Sequence, residues 1–353
     1  MIPVQNIYHM LAYAFRVLNE DGYRSVATEQ FHNVAELCAA ILIKGVSLQI
    51  KRGLERAYVS ETDTLSGIRG KIDLTESIKT QTLLRRQMVC TYDEFSVDTY
   101  RNRIIKTTLL KLLHGDIDKL RKKEIRKLLV FFADVQELEL FSIDWNQQYA
   151  RNNQTYRMLI SICCLVLKGL LQTTADGSMK LMQFIDEQRM CRLYEKFILE
   201  YYRKEHPELT VNASQIFWQL DSDSSDMLPV MQTDLMLSRE EKVLIIDAKY
   251  YEHTTRVQYG KHKLHSDNLY QIFTYVKNKE YELKDQPHEV AGMLLYARTE
   301  EKIQPDQKYK MSGNWICVRT LDLNLDFTEI RKQLDGIVEE YFEEADKFSE
   351  SES

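Results

Sequence analysis

Glycine and proline are scarce in this 353-residue chain, 12 and 5 of each, which excludes collagenous, low-complexity and largely disordered classes. No apolar run is long enough to span a bilayer. The longest, Met158 to Leu167, ends at Lys168 after ten residues and reads as a buried core helix. The opening MIPVQNIYHML lacks a basic leader, an apolar stretch and a small-residue cleavage site, so no export or membrane association is expected and the chain is placed in the cytoplasm. No CxxC pair exists among the six cysteines, which read as reduced core thiols. His262 and His265 lack the cysteine or acidic partners of a zinc site, leaving them a structural or phosphate-contacting role. Also missing is the phosphate-binding pattern GxxxxGKS/T. The nearest string, Gly67 to Asp73, has the wrong spacing and no hydroxyl after its lysine, so this chain alone should bind no nucleotide.

What is present is 44% hydrophobic and 28% charged sequence, enough for a substantial core and, at this length, for two domains. The net charge of −6 is confined to the last fifteen residues, Glu339 to Ser353, where seven acids meet one lysine. The rest is neutral overall and contains a basic helix, Lys119 to Lys127, with six cations and one anion. Arg85, Arg86, Arg101, Arg103 and Lys106 add further cations. A solvated helix face and a phosphate-binding patch are both compatible with that composition.

Apolar spacing predicts helices over 7–18, 34–48, 103–113, 117–132 and 156–171, with short strands of a small β subdomain between Gly53 and Phe95. Past the polar break at 150–156 the pattern changes. A helix over 185–203 precedes strands at 215–220, 231–238 and 243–251, then a helix at 268–277 and a strand at 290–297. The expected class is α/β (α+β overall), with domains 1–152 and 153–353, the second having a mixed central sheet flanked by helices.

Two of those strands, MQTDLMLS and VLIIDAKYY, are separated by Arg239 to Lys242, a loop of hairpin length. If Ser238 pairs with Val243, Leu237 faces Leu244, and three steps on Asp234 faces Asp247. Lys249 lies two residues beyond Asp247 and so emerges on the same face. Two acids and an amine converging in an apolar sheet carry a desolvation cost that a divalent cation would offset. Mg²⁺ bound through two aspartates keeps positions for water and a phosphate oxygen, while the lysine orients the water or stabilises developing charge, which is chemistry suited to a phosphodiester. A pair of ordinary salt-bridged strand residues is the competing account of the triplet. Around it stand Glu195 on the preceding helix, and Gln271 and Tyr275 four residues apart on the following one, whose start Ser266 or Asp267 can cap.

That order resembles the PD-(D/E)xK nuclease core, in particular its RecB-like branch, in which a Gln-x-x-x-Tyr motif lies beside the metal. Thr233 stands where that pattern has proline. The successive strings IPVQNIYHMLAYAF, KRGLERAY, LSGIRGKID, DEFSVDTYRNRIIK, TDLMLSREEKVLIIDAKYY and HSDNLYQIFTY extend the resemblance over residues 2–320, to the McrC family, the endonuclease subunits of McrBC modification-dependent restriction systems. This resemblance implies a PD-(D/E)xK restriction-endonuclease-like domain with Asp234, Asp247 and Lys249 as catalytic residues. It implies Mg²⁺ held by Asp234 and Asp247 with Glu195, and Gln271, Tyr275, Tyr250 and His265 as DNA-binding or site-supporting residues. It implies further that the N-terminal half is a finger-like domain docking on a McrB-like AAA+ GTPase hexamer and stimulating its GTP hydrolysis, and that the substrate is double-stranded DNA carrying 5-methylcytosine. Gly67, Arg69, Gly70 and Lys71 are the candidate partner-facing loop, since two glycines permit a tight turn and the cations could approach phosphates or acidic loops; a plain β-turn fits them equally. Two other functions stay open: a regulatory adaptor with a weak or silent nuclease fold, and an autonomous RecB-like repair nuclease.

Overall fold

The computed structural model of the chain describes residues 2–149, 153–170, 187–221, 226–251, 253–258 and 261–343. They form two compact units, one of Met1–Asn19 with Ile185–Ser353 and the other of Glu20–Phe184. This division differs from the expected one at 152/153, for a packing reason. Helix α1 (Val4–Ala14) belongs with the second half of the chain: Asn6 donates from Nδ2 to the carbonyls of Leu323 and Leu325 at 2.8 and 2.7 Å, and Tyr13 donates to Glu205 at 2.8 Å. Residues 150–152, where the polar break was placed, lie outside the described residues.

In the Glu20–Phe184 unit, α2 (Arg24–Thr28) leads to α3 (Val34–Arg52). Asn33 caps α3 by accepting from the Glu36 N–H at 2.8 Å, and Gly53, at φ 92°, ends it. The small β subdomain is an antiparallel sheet in the order β1 (Ala57–Leu65), β3 (Met88–Ser96), β2 (Lys71–Ile72), with α4 (Leu74–Lys79) between β2 and β3. Then come α5 (Tyr100–His114), α6 (Lys119–Leu129) and α7 (Gln154–Leu170), which with α3 bury Ile41, Leu42, Ile104, Leu109, Leu159 and Ile162. Asn102 sits buried at the base of the sheet. It donates to the carbonyls of Glu55 and Val97 at 2.9 and 2.8 Å and accepts from the Tyr156 hydroxyl at 2.9 Å. Three cations counted above as possible phosphate ligands are held internally instead: Arg103 grips Asp98 with two bonds of 2.7 Å, Arg101 pairs with Glu55, and Lys106 donates to the Val135 carbonyl at 2.6 Å.

The other unit continues from α8 (Glu187–Glu205) through β4 (Thr210–Asn212), β5 (Gln215–Ile216), β6 (Met231–Gln232), β7 (Leu235–Arg239) and β8 (Lys242–Lys249). A two-stranded ribbon, β9 (Thr255–Gln258) and β10 (Lys261–Leu264), precedes α9 (Ser266–Glu282), and β11 (Glu289–Ala297), β12 (Gln307–Met311), β13 (Asn314–Leu321) and α10 (Phe327–Val338) complete it. The central sheet runs β12-β13-β11-β8-β7-β4, with β11 parallel to β8 and β13 and the other pairings antiparallel, so it is mixed as expected. Val243 and Ile245 pack with Ile272 and Val276 of α9, and the alternating Leu244, Ile246 and Ala248 are buried as well, which is why β8 reads as a continuous apolar run. The strand expected over 231–238 is interrupted at Thr233 and Asp234, and the one over 215–220 shrinks to two residues. After α10 a π-type turn spans Glu339–Glu343, and the acidic residues from Glu344 onward lie outside the described residues. Among the described residues no helix is long and apolar enough to cross a membrane, and none of the six cysteines forms a disulfide.

Candidate active site

The β7–β8 hairpin sets the register on which the site depends. Arg239 pairs with Lys242, Ser238 with Val243, Leu237 with Leu244, Met236 with Ile245 and Leu235 with Ile246. One step further brings Asp234 beside Asp247. There the ladder gives way to a bend, and Asp234 reaches across to accept the Ala248 N–H through Oδ2 at 2.8 Å. Thr233 holds that bend, donating its N–H to the Ser214 carbonyl at 3.0 Å and its hydroxyl to the same oxygen at 2.9 Å. Proline at 233 would lack both of these bonds.

Asp247 is 2% exposed, and Lys249 lies 2.8 Å from its Oδ2 as an ion pair. That oxygen nevertheless has no aligned hydrogen-bond donor among the described residues. Burial, the charge of Asp247 and then the charge of Glu195 push the Asp234 carboxyl up to about 8, against the pull of Lys249. For Lys249, burial opposes the ammonium form, but attraction to Asp247 and Asp234 outweighs it and raises its pKa.

Helix α9 supplies the next layer. Because β8 side chains alternate, Asp247 and Lys249 share the face on which Val243 and Ile245 meet α9. Lys249 Nζ donates to Gln271 Oε1 at 3.4 Å, Gln271 Nε2 to the Tyr275 hydroxyl at 2.9 Å, and Tyr275 to the Gln232 carbonyl at 3.2 Å. A directional chain thus runs from the lysine to the backbone of β6. Asn268, one turn earlier on α9, accepts from Tyr251 at 3.2 Å and donates to Tyr296 at 2.9 Å, fixing the chain just past Lys249. Sequence reasoning passed over Asn268, Tyr251 and Tyr296, although positions 268, 271 and 275 share a helix face. It also passed over Cys191, whose thiol is one α-helical turn from Glu195 and donates to its Oε1 at 3.0 Å. Burial first, then that bond and the nearby acid charges, push the thiol up to about 12.

The structure therefore brings Asp234, Asp247, Lys249, Gln271 and Tyr275 together, with Glu195 close enough to act on Asp234 by its charge. Among the described residues no three His, Cys, Asp or Glu side chains converge as a metal-binding group, so Glu195 does not complete a three-acid cluster. The two aspartates alone form an all-oxygen donor set that suits Mg²⁺, which takes one or two carboxylates and keeps several waters. The Asp247 oxygen without an aligned donor and the acid excess felt at Asp234 both fit a divalent cation. Tyr250 stands at the edge, its ring 6.3 Å from that of Tyr194. His265 lies farther along the loop, hydrogen-bonded to the His253 carbonyl at 3.1 Å and packed on Tyr251 at 5.3 Å between rings.

The candidate docking loop lies in the β subdomain. Gly70, at φ 69°, is demanded by its surroundings, since a Cβ there would stand 2.4 Å from the Thr91 carbonyl oxygen. Gly67 has open space and no such conformation, so the tight turn rests on one glycine rather than two. Arg69 is not a free cation: its guanidinium lies 3.9 Å over the Tyr92 ring and pairs with Glu94 at 3.2 Å. Lys71 is exposed on β2 opposite Thr91.

Residues 4–297 match a family described as McrBC 5-methylcytosine restriction system component. The type IV methyl-directed restriction enzyme EcoKMcrBC of Escherichia coli (strain K12) is 31% identical over 348 residues, covering 97% of this chain and 98% of that relative. A refined half-complex from a tetradecameric assembly of Thermococcus gammatolerans McrB AAA+ hexamers with bound McrC contains a chain of similar fold. It aligns at TM-score 0.50 and 18% identity over 95% of this chain and 76% of its own.

Proposed function

The chain belongs to the family of McrBC 5-methylcytosine restriction system components, and from that membership and the geometry around Asp247 we propose that it is the Mg²⁺-dependent DNA endonuclease subunit of such a system. The observation that carries this is the junction of Asp234, Asp247 and Lys249 at the end of one hairpin, with a buried carboxylate oxygen that is held by the Lys249 charge but has no aligned hydrogen-bond donor among the described residues. An adaptor has no need to maintain that charge cluster at its desolvation cost.

Asp234 and Asp247 would hold the metal, with Glu195 adding negative charge from α8. Mg²⁺ bound there supplies neutralisation of a phosphate oxygen and lowers the pKa of water. Lys249, kept protonated by the aspartates, orients that water or stabilises charge developing on the phosphate. Gln271 and Tyr275 position the ammonium, and the Asn268 network steadies the segment that carries it. The similar Thermococcus gammatolerans assembly, McrB AAA+ hexamers with bound McrC, supports a McrB-like AAA+ hexamer as the partner here. With no nucleotide-binding pattern of its own, this chain would stimulate GTP hydrolysis by the partner and cut double-stranded DNA bearing 5-methylcytosine when recruited by it.

The test is cleavage of cytosine-methylated and unmethylated plasmid with Mg²⁺ and GTP, by this chain alone, with the AAA+ partner, and by Lys249→Ala in its place. Cutting of methylated DNA only, with the partner only, and not by the lysine variant is the expected result. A rise in GTP hydrolysis with intact DNA would transfer the proposal to the adaptor function.

A further inference from the structure

Helix α6 carries a charge arrangement that its own fold does not use. Its N-cap is Asp118, its buried positions are Ile125 and Leu128, and Arg121 is held inside the unit by Glu29 at 2.7 Å and the Phe31 ring at 5.2 Å. The other cations are Lys119, Lys122, Lys123, Arg126 and Lys127. At 3.6 residues per turn they fall on one face, roughly 140° wide, opposite the buried one. None makes an ion pair or a side-chain hydrogen bond with any described residue.

Two features make this more than a solvated helix. Elsewhere several helix cations pair with an acid three residues away: Lys79 with Glu76, Arg203 with Glu200, Lys277 with Glu280, Lys279 with Glu282 and Lys332 with Glu329. On α6 most neighbours three and four residues apart are like charges instead, Lys119 with Lys122 and Lys123, Arg126 with Lys122 and Lys123, and Lys123 with Lys127, each a repulsive pair, while Glu124, three residues before Lys127, and Asp118, four before Lys122, form no ion pair with them. Lys119 and Lys122 also occupy the first turn, where the helix dipole disfavours a cation. The fold tolerates an uncompensated positive stripe about 12 Å long at 1.5 Å per residue.

We propose that this stripe is a DNA-backbone-binding face, a contact to duplex phosphates made outside the nuclease site and without reading sequence. It rests on the proposal that DNA is the substrate. Lysine on flexible stems suits phosphate contacts that carry no sequence information. It suits a protein partner less, because lysine is depleted at protein–protein interfaces, and four of the five side chains are lysine. Counterion release then makes the binding salt-dependent.

The experiment uses the full chain with Lys249→Ala, which removes cleavage, and a fluorescent unmethylated duplex of roughly 30 base pairs. Binding is followed by anisotropy across a salt series. The variant adds Lys119→Gln, Lys122→Gln, Lys123→Gln and Lys127→Gln. A control neutralises Lys204, Lys279, Lys308 and Lys332, which have acid partners. We expect the α6 variant to bind at least about tenfold more weakly at low salt, its slope of log affinity against log salt shallower by about 0.9 for each phosphate that is no longer neutralised, and the control to keep the parent slope. Because repulsive pairs are removed, its melting temperature should not fall. Equal slopes in variant and parent, or no DNA binding by the parent, overturn the proposal. So does a variant that binds DNA normally but no longer joins the AAA+ partner, which would make the stripe a protein-binding face. The nuclease proposal is judged separately by methylated-plasmid cleavage, which does not require the α6 result.

Discussion

Asp234 responds to pH in a way that separates a metal site from a structural ion pair. Its carboxyl is raised from 3.8 to about 8 by burial and by the charges of Asp247 and Glu195. The folded chain therefore holds this proton more tightly than the unfolded chain does. The resulting stability is complete below about pH 4 and is lost as pH rises through about 8. In chelator, the melting temperature of the wild type should fall between pH 4 and 8 relative to Asp234→Asn, and millimolar Mg²⁺ should abolish the difference. Parallel curves with and without Mg²⁺ would mean that the pair needs no cation. Gln271 is tested at the same scale. Gln271→Ala removes the acceptor of Lys249 and the donor to Tyr275, so single-turnover cleavage should slow about tenfold, a barrier of about 1.4 kcal/mol, with little change in DNA affinity. An unchanged rate would mean that Lys249 needs no positioning from α9.

At the scale of elements, two backbone devices shape the molecule, and they explain what could be read from the sequence. The β7–β8 register was legible because a short loop between two apolar runs fixes which residues face each other, and Ser238 does pair with Val243. The break at Thr233 and Asp234 was not, because it depends on the Ser214 carbonyl, nineteen residues away in sequence, accepting from Thr233. Thr233→Pro, which restores the more usual residue of the motif, should cost about 1–3 kcal/mol in denaturant unfolding by removing both the N–H and the hydroxyl that donate to that half-buried carbonyl. Equal stability would show that neither Thr233 bond holds the bend. The aspartate–lysine triplet and the Gln-x-x-x-Tyr spacing were likewise legible, being local. Their supports were not: Gln232 contributes only a carbonyl, and Tyr296 arrives on a strand made adjacent by sheet topology. In the β subdomain, Gly70→Ala should destabilise the β2 turn by more than about 1 kcal/mol, whereas Gly67→Ala should be neutral, as thermal melts of the two variants will show.

At the scale of the whole chain, periodicity located the helices but not their grouping. Residues 154–170 join the Glu20–Phe184 unit and the first nineteen residues join the other, because long-range bonds such as Asn6 to Leu323 leave no trace in local pattern. The grouping has a functional consequence. Every residue of the proposed nuclease site lies in the unit formed by Met1–Asn19 and Ile185–Ser353, and the candidate docking loop Gly67 to Lys71 lies in the other. If each unit has its own core and its own task, the tasks should separate by mutation. Asp247→Asn keeps side-chain size and removes one charge, so it should abolish cleavage, by more than about a thousandfold, while leaving stimulation of the partner's GTP hydrolysis within about twofold. Gly70→Ala should do the reverse when tested at a temperature where both variants are folded: weaker stimulation, and cleavage reduced only to the extent that recruitment is. Loss of both activities in equal measure in folded Asp247→Asn would mean that the carboxylate cluster is read by the partner as well as by DNA, and the two units would then share one task.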